Sequence, residues 1–189
     1  MDTDARTRRW TRAEYERLID IGFFGPGDWI ELVGGEVVVS GPPGSRHSAA
    51  VRAVQDALRI AFGPGWEVRG PGPLALDDES EPEPDVAVVS GRDEAAAGAW
   101  RPVLVVEVSD SSLALDRDGK GSLYARAGVD DYWIVNLVDG VVEVRRRPAR
   151  APAAVFGWRY TSVEVCGPGR AVSPLAAPRA RLRVADLLR

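Results

Sequence analysis

One cysteine, Cys166, stands in 189 residues, so no internal disulfide can form and nothing in the fold depends on an oxidising compartment. There is one histidine, His47, and no Cys/His cluster, which argues against a zinc site. No apolar window reaches the ~18–20 residues that a membrane span requires. The first residues, MDTDARTRRWTRAEYERL, are charged and lack the apolar core of a signal peptide. These absences lead us to expect a cytoplasmic protein without a membrane anchor. Repeats and low-complexity linkers are lacking too, so one domain spanning 1–189 is expected. Lysine is the most telling scarcity. Of 24 basic residues 23 are arginine, and the one amine is Lys120. Arginine is a planar fork of fixed charge, whereas lysine is a compact point charge whose pKa can move. Codon bias with one stray lysine would explain the count equally well.

What is present is ordinary globular composition, 45% hydrophobic and 28% charged. The net charge of −4 speaks against a protein that coats nucleic acid non-specifically, because such affinity comes from phosphate neutralisation. It leaves room for an enzyme that gathers carboxylates around a metal. Along the chain, Thr11 and Glu14 fit a capping box ahead of a first helix. Trp29–Val33, Gly34-Gly35 and Glu36–Val39 read as a hairpin with a two-residue turn. A second helix begins near Ser45, where His47, Val51, Val54, Leu58 and Phe62 share one face. A strand from Trp66 towards Leu76 is interrupted by glycine and proline, which suits an edge position. The tract DDESEPEPD, six acids in nine residues, reads as a solvated loop running into the strand Val86–Val89. After a loop to Arg101, Pro102–Val108 is apolar enough for a central strand buried on both faces. Asp116 is placed to cap a helix through Tyr124 to Ala127. Tyr132–Asn136 and Val141–Val144 form a second hairpin, and strands from Arg159 to Val165 and a short helix near Val184 follow. The expected fold is α/β (α+β): a mixed central sheet flanked by helices, with additional β-hairpins.

Asp85 opens one buried strand and Glu107 lies near the end of another. An ionised carboxylate in an apolar strand is costly without a cation. Two brought together repel each other unless a divalent metal sits between them. Hard oxygen ligands suit Mg²⁺ or Mn²⁺. Taken singly, each acid is better explained by a strand-end cap or an arginine partner.

The ordered pieces EPEPDVAVV, VLVVEVSDSS and DRDGKGSLYARAGVDDYWIVN, with GGEVVVSGPPGSRHS before them, resemble the PD-(D/E)XK nuclease superfamily. More closely, the chain is similar from about Trp10 onward to a bacterial restriction-endonuclease family of that superfamily. The resemblance implies a restriction-endonuclease-like fold with Asp85 and Glu107 as metal ligands and the Val108 carbonyl as a third. Strand alternation puts Ser109 where the superfamily's usual lysine sits. In the family resembled the lysine has moved to the following helix, which matches Lys120; Tyr124, four residues on, faces the same way. Glu36 matches an early acidic position of the family and His47 a histidine near the scissile phosphate, although a lone histidine on an apolar helical face is also an ordinary core residue. The implied activity is Mg²⁺-dependent hydrolysis of DNA phosphodiester bonds. Arg46, Arg52 and Arg117 are candidate backbone contacts, whereas the triplet Arg145–Arg147 reads as a solvated strand end. Cutting two strands needs two sites, so a homodimer is expected, with the hairpins and Trp133 as interface candidates. Two rival readings stay open: a catalytically silent nuclease-fold module that binds nucleic acid or protein, and a hydrolase of smaller phosphate esters.

Overall fold

The computed structural model describes residues 7–25, 27–91 and 101–189. The expected loop between Val89 and Arg101 lies largely outside the described residues. Helix α1 (Arg12–Asp20) starts at the Thr11 capping box. Strands β1 (Trp29–Val33) and β2 (Glu36–Ser40) form a separate two-stranded ribbon. Helix α2 (Ser45–Phe62) is followed by β3 (Trp66–Arg69), β4 (Val86–Ser90) and β5 (Leu104–Ser109). A π-helical stretch, Leu115–Lys120, leads into α3 (Gly121–Arg126). Strands β6 (Asp131–Asn136), β7 (Val141–Arg150) and β8 (Trp158–Cys166) complete the central sheet. The chain ends with β9 (Ala171–Val172), β10 (Leu182–Arg183) and α4 (Val184–Leu187).

The six strands lie in the order β3-β4-β5-β6-β7-β8. Only β5 and β6 pair in parallel, because the helical segment between them returns the chain to the starting end of the sheet. The central place of β5 follows from its composition: all six of its residues are buried. Strand β3 takes the edge, and stops at Arg69 rather than continuing to Leu76. Gly70-Pro71-Gly72-Pro73 follows it, and proline has no N–H to give a ladder. One face of the sheet packs Val86, Val88, Val106, Trp133 and Val135 under α2 and α4. The other packs Val105, Tyr132 and Ile134 under Tyr124 and Ala125 of α3. Trp133 is wholly buried, so it is a core residue and not an interface element.

Three further expectations are corrected. The acidic tract is not a solvated loop. Glu81 and Leu32 exchange backbone hydrogen bonds (3.2 and 2.8 Å), and Ser80 and Glu81 are buried against the ribbon. Asp116 is not a helix cap. Its N–H already donates to Ser112 (3.0 Å), and its buried carboxylate accepts from the Ser109 hydroxyl at 2.6 Å. The triplet Arg145–Arg147 is largely structural: Arg146 donates to Asp131 at 2.7 Å and Arg145 to Glu143 at 2.7 Å.

The ribbon is fixed at its turn. Gly34 and Gly35 both have positive φ (57° and 81°), as a two-residue hairpin turn requires. A Cβ on Gly34 would lie 2.2 Å from Cε1 of Phe156, in the β7–β8 loop. Gly34→Ala therefore adds a clash to the ~1–2 kcal/mol of left-handed strain. We expect a lowered melting temperature by calorimetry, partly recovered in Gly34→Ala/Phe156→Ala.

Glu143 is almost fully buried between two arginines, Arg117 and Arg145. Burial alone would raise its pKa, but the hydrogen bonds from these guanidinium groups outweigh burial and hold it below the ordinary carboxylate value. A depressed folded pKa stabilises the protein above the unfolded pKa, and that stabilisation is lost as pH falls through the folded one. Removing Glu143 leaves Arg145 without its carboxylate partner; Glu143→Gln should lose stability near neutral pH and show a flatter acid limb in pH-dependent urea melts.

Candidate active site

Continuing the β4–β5 register one step beyond Val86 and Val106 sets Asp85 opposite Glu107. The two acids are tied through the backbone. Val108 N–H donates to Asp85 Oδ2 at 2.7 Å, and Asp85 N–H reaches Glu107 Oε2 at 3.4 Å. Glu107 cannot move away from this arrangement, because its other oxygen accepts from the Tyr124 hydroxyl at 2.7 Å. Lys120 reaches the same oxygen, Glu107 Oε1, at 3.1 Å. The widened turn ahead of α3 sets Lys120 and Tyr124 on one side, both over β5. Turns of this kind recur at functional sites in helices.

Lys120 has a second carboxylate partner, Glu31 of β1, at 2.8 Å. Burial alone would lower the amine's pKa, yet the charges of Glu107, Glu31 and Asp116 more than offset it and raise it. The carboxylates around Lys120 thus favour its ammonium form. Glu107 is raised well above the ordinary range by burial, with Lys120 opposing and Asp116, Asp85 and Glu31 adding to the rise. His47, in the first turn of α2, donates Nε2–H to Asp85 Oδ1 at 2.9 Å. That hydrogen bond raises its pKa, against the effect of burial.

The structure thus brings together Asp85, Glu107, Val108, Lys120 and His47. It does not bring in Glu36, which pairs with Val33 at the turn end of the ribbon and is exposed. The acid that reaches the centre is Glu31, and the sequence does signal it. It interrupts the apolar strand Trp29–Val33 just as Glu107 interrupts its own. The backbone holds it too, since Glu83 N–H donates to Glu31 Oε2 at 3.1 Å. Of the arginines, Arg52 lies exposed on the cleft wall. Arg46 is spent on the Leu137 carbonyl (2.8 Å), and Arg117 faces a different cleft, held by Glu143.

Glu31, His47, Asp85, Glu107, Val108 and Lys120 line a cleft of about 810 Å³. Among the described residues six carboxylates (Glu31, Glu83, Asp85, Glu107, Asp110 and Asp116) line it, against the cations Lys120 and Arg52. Among the described residues no three His, Cys, Asp or Glu side chains converge as a ready-made metal cluster. The donor set nevertheless fits a hard divalent cation: two adjacent carboxylates beside a peptide carbonyl, in excess negative charge. Mg²⁺ ordinarily takes only one or two carboxylates and keeps several waters. Among the described residues no helix is long and apolar enough to cross a membrane.

No curated protein matches the chain. Among solved structures, it is similar to a protein from Anabaena variabilis ATCC 29413 described as "a putative nuclease belonging to DUF820". The match has a TM-score of 0.70 and 18% identity, covering 94% of this chain and 97% of the other. That likeness shows a shared fold, with the mixed six-stranded sheet described above. Residues 12–185 match the family model Uma2, described as "Putative restriction endonuclease", and the chain belongs to that family.

Proposed function

We propose that the protein is a Mg²⁺-dependent endonuclease that hydrolyses DNA phosphodiester bonds, with 1–189 acting as one domain in the cytoplasm. The observation that carries this reading is the buried ammonium of Lys120, shared between Glu107 and Glu31 beside Asp85. Asp85, Glu107 and the Val108 carbonyl would hold the cation. When bound, Mg²⁺ or Mn²⁺ supplies Lewis-acid polarisation of a phosphoryl oxygen and acidifies a bound water. The chain's own part is positional and electrostatic. Lys120, in its ammonium form, stabilises negative charge growing on the phosphoryl oxygens. Tyr124 and the Val108 N–H hold Glu107 and Asp85 in place. His47 orients Asp85 from the α2 side and presents a second cationic group once protonated. Cutting two strands needs two sites, one for each strand, and we propose that two copies act as a homodimer.

Incubation of pure protein with supercoiled plasmid and Mg²⁺ tests this reading. Nicking that EDTA abolishes, absent from Glu107→Gln, is the expected result. Equal nicking by both proteins would instead mean a contaminant and favour a silent nuclease-fold module. Light scattering on the same samples reads the dimer.

A further inference from the structure

The five described tryptophans are not alike. Trp10 carries the Arg8 guanidinium, Trp66 meets Phe62, Trp158 carries Arg150, and the Trp133 indole donates to Asp131. Trp29 meets no ring or guanidinium among the described residues, is 44% exposed, and lines the active-site cleft. Its position follows from the strand. Residues two apart on a strand share a face, about 7 Å apart. Trp29 therefore stands on the same face of β1 as Glu31, one step from the residue that grips Lys120. Ser40, paired with Trp29 across the ribbon, and then Pro42 and Pro43 extend this wall. The facing wall is polar, with Arg52 and Gln55 on α2.

We propose that Trp29 is a base-stacking platform and that the DNA strand taken by this cleft is unpaired where it is cut. The inference rests on the endonuclease reading for the position of the reacting phosphate. An indole plane beside a phosphate-handling centre offers a base what a neighbouring base offers, a flat π-face. A base inside a duplex already has both faces covered, so only an unstacked base gains from the indole. The acidic lining points the same way. Six carboxylates tolerate one backbone held by a metal, Lys120 and Arg52, but repel a second phosphate backbone in the same cleft.

The test compares wild type, Trp29→Ala and Trp29→Phe on a single-stranded oligonucleotide and on the same sequence as a blunt duplex. With Mg²⁺, wild type should cleave the single strand with the higher kcat/KM. Trp29→Ala should lose roughly tenfold on it, chiefly in KM, and Trp29→Phe should regain most of that loss. A second arm replaces Mg²⁺ by Ca²⁺ and titrates a 20-nucleotide oligothymidylate against tryptophan fluorescence; quenching should be seen in wild type and be largely absent in Trp29→Phe. Quenching without any cleavage would keep the platform and remove the endonuclease reading. Cleavage with equal preference for both forms, or without a Trp29-dependent quench, would overturn the platform and leave the endonuclease standing. A change in molecular mass in Trp29→Ala, with DNA binding intact, would overturn it in favour of a contact between two copies.

Discussion

Lys120→Met is expected to lose both activity and a large part of the stability. The amine is 7% exposed and is the cation held between Glu107 and Glu31. Its removal leaves two buried carboxylates facing each other and Asp116 with no lysine between them. Breaking a buried ion pair from one side costs about 3–5 kcal/mol, because the remaining charge is left uncompensated. For a chain of this length that corresponds to roughly 10 °C in melting temperature. Two companions make the result diagnostic. Lys120→Met/Glu31→Gln should recover part of the loss, since the pair is coupled through one amine. Added Mg²⁺ should stabilise Lys120→Met by about 2.7 kcal/mol at a hundredfold excess over its Kd. Lys120→Arg is not expected to rescue activity, because a planar fork does not fit a position built for a point charge. A variant that melts like wild type would mean that the amine is not held as described.

Glu107→Gln shows the opposite separation of stability from activity. Lys120 keeps Glu31 as its ion-pair partner and still feels the charge of Asp116, and the amide oxygen can still accept from Tyr124. The substitution also removes a buried carboxylate whose pKa is driven up by burial and by its acidic neighbours. Stability should therefore change by no more than about 1 kcal/mol, since the lysine left behind is still compensated by Glu31 and the large cost of breaking a buried pair comes from an uncompensated charge. Plasmid nicking should fall by more than about a hundredfold, because even outer-sphere partners of a metal cost 10–100-fold. Calorimetry and a nicking assay on one preparation check both halves. Retained nicking in a folded Glu107→Gln would remove Glu107 from the chemistry.

The contrast between these variants is a matter of counting charges around one point. Lys120 is one cation among several anions, so losing it is costly and losing one anion is not. On the proposed function, the same imbalance would draw in a divalent cation and repel a second phosphate backbone.

Much of this was written in local patterns. The unbroken apolar run before Glu107 called for a central strand, and Gly34-Gly35 between two strands called for a tight turn with positive φ. The Thr11–Glu14 box started α1 where expected. Asp85, Glu107 and Lys120 stood out as charges in places where charge is costly or, for the amine, rare, but only the family resemblance joined them into one site. Three things were not decided by local sequence. Glu31 rather than Glu36 meets Lys120, because the ribbon lies outside the central sheet and its docking is set by distant contacts with Glu81 and Glu83. Asp116 turned inward because the hydroxyls of Ser109 and Ser112 were there to meet it. Arg117 faced away from the centre because Glu143, on another strand, held it. Sequence alone determined which segments are buried strands and helices, since hydrophobic period and turn chemistry are local. Only the tertiary structure decided which acid meets the amine and which tryptophan is left uncovered, since both depend on contacts between segments far apart in the chain.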